Sequence, residues 1–334
     1  MIELLVDAVY YAFFILFLSL VAALALAPFE AMGWWSGWWL RKEDPAAALS
    51  KPITVEPEQS ADEVTPPANH PVEHYVIFLT GIGGSTTRVN VPFEKRLLTR
   101  LRERMPNACV IDTIYPYSVA NRGLTKGRFL AQFWRFILYE KMTGHRALGF
   151  VINIRNLLQV LVCADNRYGP FFSQGAAQVI AQQLRQEKCD LAGSIPVTII
   201  GYSGGGQIAV GAAPYLAEVL PAPVKVISLG GVLSSTPKIN RIDHLVHIYS
   251  DKDTVQRLGM IFPGRWRLAY TSAWNQGRRS GRISSLLLPG VKHDGPGGYL
   301  DEESYLDDGR SYMDRTVDTM VAVINTEVQP IPDS

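Results

Sequence analysis

The 334-residue chain predicts an α/β fold built on a mostly parallel sheet flanked by helices, and three observations carry that prediction. Six short runs are continuously apolar, as strands covered on both faces must be. Helical patterns separate most of them, which is the order of strand–helix–strand units. The third run passes without a break into a glycine-rich turn and a further helical pattern.

Composition sets the outer bounds. With 47% hydrophobic and 19% charged residues, this is not a mainly disordered chain, and its length allows one large domain or two small ones. A net charge of +1 carries no sign of nucleic-acid binding, which usually shows as a strongly basic domain. That average hides unlike segments. Residues 1–42 balance at −1, residues 43–73 carry seven acids against Lys51 alone, and residues 74–334 hold 29 bases against 21 acids, a balance of +8. Cys109, Cys163 and Cys189 are too few and scattered for a disulfide framework or a zinc site, and read as small buried hydrophobes.

Residues 8–27 (AVYYAFFILFLSLVAALALA) contain no charge. As a helix they span about 30 Å, the thickness of a bilayer core, so one transmembrane helix is expected to precede the fold. A cleaved signal peptide is disfavoured, because Glu3 and Asp7 stand where a basic region belongs and cleavage after Ala27 would fall before Pro28. Trp34, Trp35, Trp38 and Trp39 gather on one helical face as an interfacial belt, closed by Arg41 and Lys42. Acids before the anchor and bases after it favour a single-pass protein with its C-terminal domain in the cytoplasm. Residues 43–73, with six prolines and no periodic apolar pattern, read as an extended acidic tether.

From residue 74 to about 330 the sequence reads as one globular domain. The expected strands are 75–81, 109–115, 197–203, 224–231, 244–250 and 283–290, with a charged helix over Phe93–Met105. About 80 residues separate the second strand from the third, where one helix would suffice, so a helical cap insertion is expected at about 117–172. Its two helical patterns, 128–142 and 146–163, carry polar stripes; on the second these are Arg146, Asn153, Asn156 and Gln159. The remainder of each is apolar over a broad face that protein or lipid must cover.

The third strand ends in Gly201-Tyr202-Ser203-Gly204-Gly205, a G-x-S-x-G between strand and helix. A sharp turn there lifts the serine hydroxyl above the sheet edge, and glycines two residues either side prevent a clash. The following helix offers unpaired N–H groups and a positive dipole end to a developing oxyanion. The overlapping G-x-G-x-x-A of Gly204, Gly206 and Ala209 is discounted as a dinucleotide fingerprint, because it follows the third strand rather than the first. A nucleophilic serine needs an acid and then a histidine further along the chain. His293, in the loop after the last strand, is the histidine in the required place; His70, His74 and His145 precede the serine, and His244 and His247 face opposite sides of one strand. The acid belongs after the strand 244–250, where Asp251 and Asp253 are both candidates.

The elbow GYSGG, the turn YSDKDTV and the loop KHDGPGGY resemble, in order and strand context, the three catalytic positions of the α/β-hydrolase fold over about 74–326. The resemblance implies a triad of Ser203, His293 and Asp253. It also implies an oxyanion hole from the N–H of Gly204 and an N–H of Ile82 or Gly83, although Thr80-Gly81 stands where the family usually opens with His-Gly. A phosphate-cradling role for Thr80–Ser85 lacks the Gly-Lys-Ser/Thr of a P-loop. The expected function is therefore a membrane-anchored serine hydrolase cleaving an acyl ester, lipid or other apolar ester or thioester, with no metal, cofactor or nucleic acid. Two alternatives remain: an inactive scaffold of the same fold that binds a membrane partner, and an acyltransferase using the same serine.

Overall fold

The computed structural model describes residues 71–83, 92–117 and 146–326 together with positions 14, 17, 18 and 21, and for 146–151 it describes the backbone alone. The elements run β1 (His74–Leu79), α1 (Pro92–Arg104), β2 (Ala108–Ile111), α2 (Arg146–Ala164), α3 (Gly169–Gln186), β3 (Val197–Tyr202), α4 (Gly204–Ala217), β4 (Val224–Leu229), β5 (His244–Tyr249), α5 (Ala273–Arg279), β6 (Ile283–Leu287) and α6 (Tyr312–Asn325). The six strands form one sheet in the order β2-β1-β3-β4-β5-β6, every neighbouring pair parallel.

Successive strand side chains point to opposite faces, so each apolar run feeds two cores at once. Ile77, Leu79, Ile199, Val226 and Leu245 join one core with α2, α3 and α4. Val76, Phe78, Ile200, Ile227 and Ile248 join the other with α1 and α6. This double coverage is why the runs are apolar without alternation.

The strands end earlier than the apolar runs suggest, and at β2 and β4 the shortfall has a local cause. β2 is an edge strand paired only with β1, and it stops at Ile111 rather than Tyr115. Beyond it, Tyr115 and Tyr117 turn their hydroxyls to polar partners instead of continuing the ladder. β4 stops at Leu229 because Gly230 turns the chain at φ +56°, a conformation that suits glycine.

From β1 the chain moves outward to β2 and then crosses back over β1 to β3. The strand order therefore reverses between β1 and β3. In open parallel sheets such a switch point opens a crevice at the carboxyl ends of the strands, the usual place for a ligand. The loop after β1 and the turn after β3 both lie at that edge.

Helix α2 corrects a simple amphipathic reading of its sequence. Asn156 and Gln159, members of its polar stripe, are fully buried with Arg155, whereas Leu157 and Leu161 are exposed. The expected helix at 128–142 lies outside the described residues, as do the tether at 43–70 and most of the expected anchor. Within 8–27, positions 14, 17, 18 and 21 are helical and exposed. Among the described residues no helix is long and apolar enough to cross a membrane. Cys163 is buried as expected, whereas Cys109 and Cys189 are only partly so, and all three are free thiols.

His244 and His247 do point to opposite faces. His247 is buried against the Ser228 hydroxyl at 3.2 Å and between the rings of Tyr249 and Trp274. Burial, the largest cause, pulls its pKa down to about 3, and the Arg265 charge adds to the effect. The unfolded chain then binds a proton below about pH 6.5 that the folded chain refuses, so stability falls as pH falls. Between pH 7 and pH 5 this group alone is expected to cost about 2 kcal/mol. His74 and His244, both lowered mainly by burial, act in the same direction. Chemical denaturation of wild type and His247→Asn at the two pH values measures the effect; equal losses in both proteins would contradict it.

Candidate active site

The third strand and the helix after it meet at Ser203 in a turn that few residues tolerate. Ser203 has φ +53° and ψ −122°, a positive φ that is costly for any residue with a side chain. Its N–H still continues the sheet by donating to the Leu229 carbonyl at 2.9 Å, so the strand is held up to the bend itself. A Cβ on Gly201 would stand 2.5 Å from the Gly205 carbonyl oxygen, and one on Gly205 would stand 2.5 Å from that of Leu79 and 2.6 Å from that of Thr80. The glycine spacing is thus a packing requirement: the bend brings backbone against backbone on both sides of the serine.

Three side chains from three loops converge there. The Ser203 hydroxyl lies 2.9 Å from His293 Nε2, and His293 Nδ1 lies 2.9 Å from Asp253 Oδ2. Asp253 is fully buried, and its other oxygen accepts the N–H groups of Val255 at 2.8 Å and Gln256 at 3.1 Å. Those two bonds fix the carboxylate and leave Oδ2 aimed at the imidazole. Asp251, the other candidate acid, is exposed and accepts the Gly290 N–H at 2.7 Å. It ties the turn after β5 to the loop after β6, and that bond is the main cause holding its carboxyl below the usual range. Geometry separates the two aspartates where spacing could not.

The imidazole is held by more than its two hydrogen bonds. Tyr202 donates its hydroxyl to the His293 carbonyl at 2.8 Å and stacks its ring on the imidazole, centroids 5.5 Å apart. Tyr299 meets the same imidazole edge-on at 6.3 Å. Burial pushes both phenols well above their ordinary pKa, so they stay neutral. Gly230 makes room for the cluster, since a Cβ there would stand 2.9 Å from Asp253 Oδ2 and 2.8 Å from the Tyr299 ring.

The loop after β1 closes over the turn. A Cβ on Gly81 would stand 3.1 Å from the Tyr202 ring and 3.4 Å from Ser203 Cβ, and one on Gly204 would stand 2.6 Å from Ile82 Cγ2. Gly204 begins α4, where backbone N–H groups have no partner within the helix. Ile82 and Gly83 follow on the loop beside it, both partly exposed. Buried Glu94 of α1 accepts the Thr80 hydroxyl at 2.7 Å and the Gly81 N–H at 3.1 Å. Asn156 of α2 donates to the Ile82 carbonyl at 2.7 Å, and Tyr117 donates to that of Thr80 at 2.9 Å. Arg155, also buried, bonds Asn156 Oδ1 at 3.0 Å and the Tyr117 carbonyl at 3.1 Å. The inserted helix therefore sets the position of the loop beside Ser203, which explains its inward polar stripe.

The expected site residues meet at this edge, Ser203, His293 and Asp253 in hydrogen-bonded sequence, Gly201, Tyr202 and Gly205 around the bend, and Gly204 and Ile82 in close approach; Gly83 follows Ile82 in the loop, with open space where a Cβ would stand. Sequence reasoning missed Tyr299, Gly230, Glu94 and Asn156. Tyr299 stood in the same loop as His293, and Asn156 stood in the polar stripe, so both were visible without a sign of their role. The arrangement can deprotonate the serine hydroxyl as it attacks an electrophile and hold the resulting imidazolium against a buried carboxylate.

No protein-family model matches the chain, and no curated protein matches it either.

Proposed function

We propose that this chain is a serine hydrolase of the α/β-hydrolase type, tethered to a membrane through residues 8–27, that cleaves an acyl ester. The single observation carrying the proposal is the unbroken chain from Asp253 Oδ2 through the imidazole of His293 to the hydroxyl of Ser203, with both contacts at 2.9 Å. In this mechanism Ser203 attacks the acyl carbonyl while His293 Nε2 takes its proton and then returns it to the leaving alcohol. Asp253 keeps the proton on Nδ1 and stabilises the imidazolium. The Gly204 N–H, with one from Ile82 or Gly83, receives the oxyanion. Water then repeats the sequence and releases the acid.

The strained backbone at Ser203 supports an enzyme over an inactive scaffold. A scaffold gains nothing from a serine at positive φ, whereas a nucleophile needs the sharp turn that presents its hydroxyl to the base. An apolar or lipid-like ester is the substrate class that fits an uncharged anchor, a broad apolar insertion and a basic domain at an anionic cytoplasmic surface.

A fluorophosphonate probe tests the chemistry, because phosphonylation requires an activated serine. Wild type is expected to be labelled and Ser203→Ala to be blank under the same conditions. Labelling that persists in Ser203→Ala, or a wild type that does not react, would sink the proposal.

A further inference from the structure

Between Asp253 and Asp294 the chain contains seven bases and no acid, so most of the positive balance of the globular part is gathered in one stretch. The stretch leaves the turn that holds Asp253 and forms two short 3₁₀ turns, Gln256–Ile261 and Pro263–Arg265, before α5. Leu258, Met260, Ile261, Trp266 and Tyr270 are 47–65% exposed there, and Leu268 is 93% exposed. Six large apolar side chains within 13 residues are more than the scatter expected on a soluble surface.

The segment is presented firmly from beneath. Buried Gly259 packs so close that a Cβ would stand 2.5 Å from Arg265 Nη1. Arg265 in turn lies over the buried Trp274 ring at 4.1 Å and bonds the Leu233 carbonyl at 3.3 Å. Asn275 ties down the carbonyls of Trp266 and Ala269, each at 2.8 Å. With Gly259 and Arg265 turned inward, their apolar neighbours have nowhere to go but outward. Around them Arg257, Arg267, Arg278 and Arg279 are exposed, and none has an ion pair among the described residues. The Arg279 guanidinium sits 3.8 Å over the exposed Tyr270 ring, which leaves its charge at the rim of the patch.

We infer that residues 256–270, with Arg278 and Arg279, form a second membrane contact that docks on an anionic bilayer. Aliphatic tips with an indole and a phenol match the headgroup–acyl boundary, and arginines without an ion pair among the described residues match anionic headgroups. A second copy of the chain is a poor occupant, since two such patches would repel through their arginines. A nucleic acid would leave the four aliphatic side chains in water. The inference holds whether or not Ser203 is a nucleophile.

The full chain, reconstituted in nanodiscs, provides the test, because there the N-terminal segment is the same in every arm. Amide hydrogen exchange over residues 258–270 is compared between discs of phosphatidylcholine alone and discs with added phosphatidylglycerol. Anionic lipid is expected to slow exchange by at least about tenfold, since each arginine at such a surface contributes about fivefold. The double variant Arg267→Glu/Leu268→Glu alters only exposed side chains and is expected to return exchange to the neutral-disc rate with an unchanged melting temperature. Equal exchange in both discs would overturn the inference. So would protection that rises with protein concentration in neutral discs, which would assign the patch to self-association.

Discussion

Replacing Asp253 by asparagine is expected to lower kcat/KM on an activated acyl ester by about 10⁴-fold. Asp251→Asn, two residues away, is expected to leave it within about twofold, as exposed substitutions usually do. The contrast follows from the bonds each carboxylate makes. Asparagine can keep the two N–H groups of Val255 and Gln256 with its carbonyl oxygen, so the turn survives. What it loses is the acceptor facing His293 Nδ1 at 2.9 Å. An amide nitrogen in that place donates, which forces the imidazole into the tautomer that carries its proton on Nε2, toward Ser203. The base is then unable to accept the serine proton. Asp251, exposed to solvent, accepts the Gly290 N–H and the neighbouring Ser250 hydroxyl and has no bond to the imidazole. Steady-state kinetics on the two variants decide the matter, and an equal loss in both would reassign the acid.

Gly205→Ala should unfold the site rather than merely slow it. The added methyl group would meet the carbonyl oxygens of Leu79 and Thr80 at 2.5 and 2.6 Å, backbone atoms at the end of β1 and the start of its loop rather than a side chain that can swing away. Relief requires the loop after β1 to move off the turn. That loop is pinned by Glu94, Tyr117 and Asn156, so the strain spreads into α1 and α2. A loss of at least about 3 kcal/mol is expected, at the upper end for overpacking because backbone must yield. Urea denaturation measures it. A variant as stable as wild type would mean that the close approach of β1 to the bend is not maintained in solution.

These expectations draw on both levels of information, and the division between them is physical. The succession of strands and helices along the chain, the double burial of the sheet and the bend at Ser203 were legible because each depends on neighbours in sequence: runs of apolar residues, helical periodicity, glycines two positions from a serine. His293 was legible by its place after the last strand. The absence of acids between Asp253 and Asp294 is also plain in the sequence. That this stretch turns six apolar side chains outward is not, because the reason lies in Leu233 and Trp274 beneath it.

The resemblance already pointed to Asp253, but the bonds that distinguish it from Asp251 belong to tertiary structure, since both lie in one short turn and the loop after β6 brings His293 to one and the Gly290 N–H to the other. Tyr299 and Gly230 acquired roles by approaching His293 and Asp253 from separate loops. Helix α2 shows the same principle in reverse: its sequence marks Asn156 and Gln159 only as part of a polar stripe, and folding turns both inward. Residues next to each other in the chain set the local conformation, which is why the α/β architecture and the serine turn could be read from periodicity and spacing. Polar partners 40 to 90 residues apart, as in Asp253–His293 and Ser203–His293, meet only when the sheet is assembled, so the sequence could name candidates while the contacts among them, and those of Tyr299 and Gly230, had to come from the fold.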